Sequence, residues 1–281
     1  MRYQITHTTT YTYPHPVRLD PHILRLRPRS DGWQTLEQFS VQVLPEPMSL
    51  SHVTDLDGNA LIKLWFEPEK AEKLTITTAS QVETHQDNPF NYLLEPWALC
   101  LPIDYPSSLQ PQLQPYLGVP DPIAHQLAQE LWLEAEGNST VFLNHLNQRI
   151  YDACGHLIRE TGDPLPPTIT WTHKQGSCRD FAVLFIHACK AVGLAARFVS
   201  GYQEGDLDSD DRHLHAWVEV YLPGAGWRGY DPTHGLAVAD RHIALVASAD
   251  SKYAAPVTGH VSGLRGAPSV MEYDLTIQRL D

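Results

Sequence analysis

The sequence predicts an α+β protein in two parts: an antiparallel β-sandwich over residues 1–85 and a unit of helices packed on an antiparallel sheet over residues 121–281. A proline-rich connector over residues 86–120 joins them. Three observations carry the prediction. The first 85 residues hold short alternating runs broken by turn clusters and show no helical period. Residues 121 to 192 then carry apolar residues at helical spacing between start and stop signals. After Gly193 the pattern returns to strands.

Taken in order, Tyr3, Ile5, His7, Thr9 and Tyr11 alternate with polar neighbours as a strand that Pro14 and Pro16 are expected to close. Further strands are expected at His22–Leu26, Glu37–Val43, Leu61–Phe66 and Leu74–Val82, with a hairpin turn at Asp55-Leu56-Asp57-Gly58-Asn59. His7, His15 and His22 stand apart from one another and read as structural or exposed. In the connector, prolines alternate with Trp97, Tyr105, Tyr116 and leucines, which predicts a segment pinned to a domain surface. Asp121-Pro122 opens a helix ending at Gly137, and Ser139 is the expected cap of a second. Asp163 to Pro167 reads as an ordered loop leading to Trp171. A third helix starts at Cys178, with Phe181, Leu184, Phe185, Ala188 and Val192 on one face. Strands follow at Ala195–Tyr202, Leu214–Leu222 and Trp227–Tyr230, and an acidic exposed loop separates the first two. Met271–Leu280 reads as a closing strand of undetermined sheet.

Composition narrows the function. Acidic residues outnumber basic ones 33 to 20, for a net charge of −13, and no basic run interrupts them, so nucleic acid is not an expected partner. The N-terminus lacks the apolar stretch of a secretory signal and no segment reaches membrane-spanning length. The expectation is a soluble cytoplasmic protein with no membrane partner. The four cysteines have no Cys-x-x-Cys spacing and are too scattered for a disulfide framework, so reduced thiols are expected.

Chemistry concentrates on Gly176-Ser177-Cys178, a turn that places a sulfur at a helix N-terminus. Unpaired N–H groups and the helix dipole favour a thiolate there, while the alternative is a small buried hydrophobe. A nucleophilic thiolate needs a base and a group to orient that base. In His215-Ala216-Trp217-Val218-Glu219-Val220-Tyr221, the residues Ala216, Val218 and Val220 share an apolar face, and His215 points the other way near the strand start. It can meet a cleft there, or be satisfied by a backbone carbonyl. Asp231 ends the next strand, which Pro232 stops, and antiparallel pairing can bring it beside His215.

Together with Val199-Ser200-Gly201-Tyr202, Gly226-Trp227 and Tyr230-Asp231-Pro232-Thr233, these pieces resemble the transglutaminase-like superfamily, whose core is related to papain-type cysteine proteases. The start of the chain resembles that family's bacterial N-terminal domain through His7-Thr8-Thr9-Thr10-Tyr11-Thr12-Tyr13, Pro16-Val17 and Leu24-Arg25-Leu26-Arg27-Pro28. The resemblance implies a transglutaminase-like catalytic domain over residues 121–281, with Cys178 as nucleophile, His215 as general base and acid, and Asp231 as orienting acid. Trp217, Gly176 and Ser177 are expected along the cleft. The implied reaction is acyl transfer from an amide of a peptide or protein through a thioester, with no cofactor and no metal. Water as acceptor gives a protease or amidase, and an amine gives a transglutaminase. Backbone N–H groups at the helix start are the expected oxyanion donors; Gln175 is left unassigned.

Two other readings compete. His213 and His215, with Asp211 and Cys178, have the residue types of a zinc site. A non-catalytic binding module on the same fold is the other, although such modules usually lack a triad member. Asp180 is explained by capping and the helix dipole, and Arg179 by surface pairing.

Overall fold

The computed structural model describes residues 1–205, 213–263 and 268–280. The expected acidic loop lies, beyond Gly205, outside the described residues. Strands β1 (Arg2–Leu24), β2 (Gln34–Leu44), β3 (Ser49–Thr54), β4 (Ala60–Trp65) and β5 (Lys70–Thr84) come first. The connector holds short helical turns, among them α1 (Gln110–Leu113). Then come α2 (Pro122–Glu134), α3 (Ser139–Ala153), β6 (Gly155–His156), α4 (Pro167–His173), β7 (Gln175–Gly176) and α5 (Cys178–Ala191). The chain finishes with β8 (Ala196–Gln203), β9 (Leu214–Leu222), β10 (Gly226–Asp231), β11 (Leu236–Ala237), β12 (His242–Ser248), β13 (Val257–Ser262) and β14 (Val270–Arg279).

The architecture is α+β: an antiparallel curled N-terminal sheet, then helices packed on a second antiparallel sheet. The first has seven strands joined in one continuous hydrogen-bonded sheet. Its spine is β1, which pairs with β5 and β14 along its first half and with β4 and β13 along its second. Pro14 and Pro16 do not end this strand. They fall where the β1–β5 register shifts between Thr12 and Val17 and where β14 has stopped pairing, so their missing N–H groups cost no ladder bond. The closing strand therefore joins the N-terminal sheet, accompanied by β13, which the sequence did not announce.

The second sheet has the order β11-β10-β9-β8-β12. Helix α5 packs on it, burying Phe181, Leu184, Phe185 and Ala188 in one core with Ala216, Val218, Val220 and Leu222 of β9. The cap of α3 is Asn138, whose side chain accepts from the N–H groups of Thr140 and Val141; the hydroxyl of Ser139, expected as the cap, donates instead to Ala98 O at 2.7 Å. Trp171 lies in α4, a short helix that the sequence did not announce and that begins where the expected 163–167 loop ends.

The N-terminal sheet docks on edge strand β12 through two side-chain amides that imitate a neighbouring strand. Gln34 donates to Ala244 O at 2.9 Å and accepts from Ala244 N at 2.7 Å. Asn59 does the same to Ala247, at 2.8 and 3.0 Å. Both amides are buried, so each satisfies backbone groups that water cannot reach.

Candidate active site

Cys178 is the first residue of α5, and three features fix the turn before it. Strands β6 and β7 pair in parallel, with Gly155 N donating to Lys174 O and Leu157 N to Gly176 O, both at 2.8 Å. A Cβ on Gly176 would stand 2.9 Å from Cβ of Asp180, so no larger residue fits against the helix. Asp180, 1% exposed, accepts from the N–H (2.7 Å) and hydroxyl (2.8 Å) of Ser177, from Arg159 (2.6 Å) and from Leu165 N (2.6 Å). It is the N3 partner of a capping box whose N-cap is Ser177, and also a hub that ties the 159–165 segment to the cysteine turn. Arg179 holds the same segment by donating to the carbonyls of Gly162, Arg159 and Thr161, a role beyond the surface pairing expected of it.

His215 starts β9 and Asp231 ends β10, and these strands are antiparallel neighbours. Asp231 Oδ2 lies 2.7 Å from Nε2 of His215. Two further imidazoles reach the same oxygen, His234 through Nδ1 at 2.9 Å and His242 through Nε2 at 3.0 Å. The other oxygen accepts from Thr233 N at 3.0 Å. The remaining nitrogen of His215, Nδ1, is left for Cys178, with which the imidazole hydrogen-bonds. Trp217, expected along the cleft, is 1% exposed and lies beneath His215, with ring centroids 6.2 Å apart. Gly201 makes room for it: a Cβ there would stand 2.4 Å from the indole.

The electrostatics follow from these contacts. Burial alone would raise the Cys178 thiol. Hydrogen bonds from His156 and His215, the charge of His215 and the Ala216 N–H outweigh that and bring the pKa from 9.0 down to about 6. For His215, burial opposes the charge, but Asp231 and the Cys178 sulfur push the pKa from 6.5 up to about 10. Asp231 is desolvated as well, yet its imidazole partners hold it well below the carboxylate range. Between about pH 6 and 10 the stable form is therefore a thiolate beside an imidazolium. By contrast, Cys189 is buried without such partners and its thiol is raised.

The structure thus brings Cys178, His215 and Asp231 together. Gly176 and Ser177, both buried, shape the turn rather than expose a surface. The paired histidines of a zinc site diverge: Nδ1 of His213 meets the Tyr273 hydroxyl, while His215 meets Asp231 and Cys178. Asp211 lies outside the described residues. One cluster of metal-ligating residue types occurs among the described residues, His215, Asp231 and His234, and its members already hydrogen-bond one another. Sequence reasoning missed His156, His234 and His242. His234 had one usable signal, its place three residues after Asp231 in a proline turn; the other two converge only through the fold.

Comparison with known proteins identifies the family. Residues 3–83 match the bacterial transglutaminase-like N-terminal region, and residues 126–232 match the transglutaminase-like superfamily. An uncharacterized protein of Mycobacterium tuberculosis is 30% identical over 275 residues, covering 92% of this chain and 87% of its own. A protein-glutamine gamma-glutamyltransferase of Pseudomonas aeruginosa is 32% identical over 104 residues, covering 34% of this chain and 16% of its own. The crystal structure of a "putative cysteine protease" from Cytophaga hutchinsonii superimposes with a TM-score of 0.72 at 20% identity, covering 100% of this chain and 92% of its own. In sequence and in fold, the chain belongs to the transglutaminase-like superfamily and carries its bacterial N-terminal region.

Proposed function

We propose that the chain is a cysteine-dependent acyl-transfer enzyme acting on amide bonds of peptides or proteins. One observation carries the reading: a helix-N-terminal thiolate faces an imidazole whose far nitrogen is held at 2.7 Å by a buried carboxylate. The Cys178 thiolate attacks the amide carbonyl carbon, forming the C–S bond and an oxyanion that N–H groups at the start of α5 can receive. His215 gives its Nδ1 proton to the amide nitrogen as the C–N bond breaks, so an amine leaves and a thioester remains. The now neutral His215 takes a proton from water or an incoming amine as that acceptor attacks. The C–S bond then breaks, and thiolate and imidazolium are restored. Asp231 stays ionised throughout and fixes the His215 tautomer.

The Pseudomonas relative is named a gamma-glutamyltransferase and the Cytophaga protein a "putative cysteine protease", so a test must choose between transfer to an amine and hydrolysis. Incubating the protein with a glutamine-containing peptide library, with and without a primary amine, and taking the mass of the Cys178 peptide after acid quench makes that choice. A thioester adduct on Cys178 is expected, and the released product names the acceptor. No adduct with any amide, or an adduct on Cys100 instead, would sink the proposal.

A further inference from the structure

We infer that His242 is a positioning residue of this site: from its buried place on β12 it donates its Nε2–H to Asp231 Oδ2 and holds that carboxylate in the orientation His215 needs. The inference rests on the acyl-transfer reading above. Asp231 has no exposure, and its four partners differ in how firmly they can hold it. His215 is the group to be oriented, so it cannot also be the anchor. Thr233 N–H fixes the other oxygen. The side chain of His234 is 41% exposed, so water competes for its hydrogen bonds. The side chain of His242 is 3% exposed. Its backbone is locked by pairing with Gln203 and by a bond to Ala239 O, and its ring sits edge-on to Trp217 at 5.3 Å and 74°.

Its chemistry fits the role. Burial lowers the His242 pKa against the pull of Asp231, with the charges of His215 and His234 acting in the same direction as burial, which favours the neutral ring. A neutral imidazole that donates from Nε2 has a bare Nδ1, and in this structure Nδ1 is buried with no hydrogen-bond partner. Nε1 of Trp217 is likewise buried and unpaired, and both residues line a cavity of about 30 Å³, room for one water molecule. What the imidazole adds over an apolar ring is the donor to Asp231.

Two full-length variants test this by the rate at which iodoacetamide labels Cys178 between pH 5 and 9, read by mass spectrometry. His242→Phe keeps the ring and removes the donor. Labelling at pH 5 should fall about tenfold as the acid limb of the profile moves up by about one unit, because a loosely held Asp231 supports the His215 charge less well. His242→Gln keeps an N–H donor and should stay within about threefold of the parent. Wild-type labelling in the Phe variant, or equal losses in both, overturns the inference. Should His242→Phe not fold, the nitrogen NMR signals of the wild-type His242 ring decide. The inference requires a protonated Nε2 and a bare Nδ1 at pH 7 to 8, and any other state overturns it. Labelling needs no substrate, so the two readings fail separately. A wild-type Cys178 no faster than Cys100 at pH 6.5 defeats the acyl-transfer reading, whereas a fast Cys178 indifferent to His242→Phe defeats only the role of His242.

Discussion

His7 in the N-terminal sheet and His215 in the second sheet are both buried on strands, and burial works against the charge of each. His7 meets only hydroxyls, Tyr202 at 3.0 Å and Thr9 at 3.1 Å, and its pKa is pushed down to about 4. His215 meets a carboxylate and a thiol and is pushed up to about 10. Burial is common to both regions; the partner decides whether an imidazole is a neutral structural piece or a held proton. The histidine of the N-terminal sheet is satisfied by neutral groups, one of them Tyr202 from β8, while the second-sheet side gathers three imidazoles on one carboxylate oxygen.

The largest break in this contrast should come from His215→Ala. Without the imidazolium the Cys178 thiol returns toward its ordinary range, and iodoacetamide labelling at pH 6.5 should fall about 100-fold. In the parent, labelling should rise through about pH 6 as the thiol ionises and hold its plateau until His215 loses its proton near pH 10. A variant that labels like the parent would mean that the helix terminus and His156 suffice.

His7 sharpens the other side. Its folded pKa of about 4 lies below the 6.5 of a free imidazole, so between these values the unfolded chain binds more protons and stability falls as pH falls. By pH 4.5 this group alone should remove about 2 kcal/mol relative to pH 7. Urea unfolding of His7→Asn should show that much less acid sensitivity than the parent; equal slopes would assign the acid loss elsewhere. The smallest effect is expected where the two regions meet. Asn59→Ala leaves two backbone groups of Ala247 unpaired and should cost about 1.5 kcal/mol, a Tm lower by a few degrees. Cys178 labelling should not change, and a large change there would show that docking of the N-terminal sheet tunes the site.

Legibility in the sequence followed how local each feature was. Cys178, His215 and Asp231 each sit at the end of an element that announces itself, by a Gly-Ser turn, a two-residue alternation and a proline stop respectively. Their family resemblance assigned roles that spacing alone left open. His156 and His242 reach the site through strand pairing between segments far apart in the chain, which no periodicity encodes. The same cause hid the return of β13 and β14 to the first sheet. Pro14 and Pro16 misled for a different reason: a proline stops a strand only where its nitrogen owes a hydrogen bond, and here neither neighbour asks for one. The cap of α3 slipped by one residue because Asn138 and Ser139 are both competent caps, and Ser139 found a better acceptor in Ala98.

The amides of Gln34 and Asn59 bear on how the chain can be cut. Strand β12 is an edge of the second sheet, and its outward N–H and C=O groups at Ala244 and Ala247 are covered by side chains from the other region. A fragment beginning after residue 85 would expose that edge as a template for pairing with its own copies. A well-behaved minimal fragment is therefore expected to need either that sheet or a substitute for two amides.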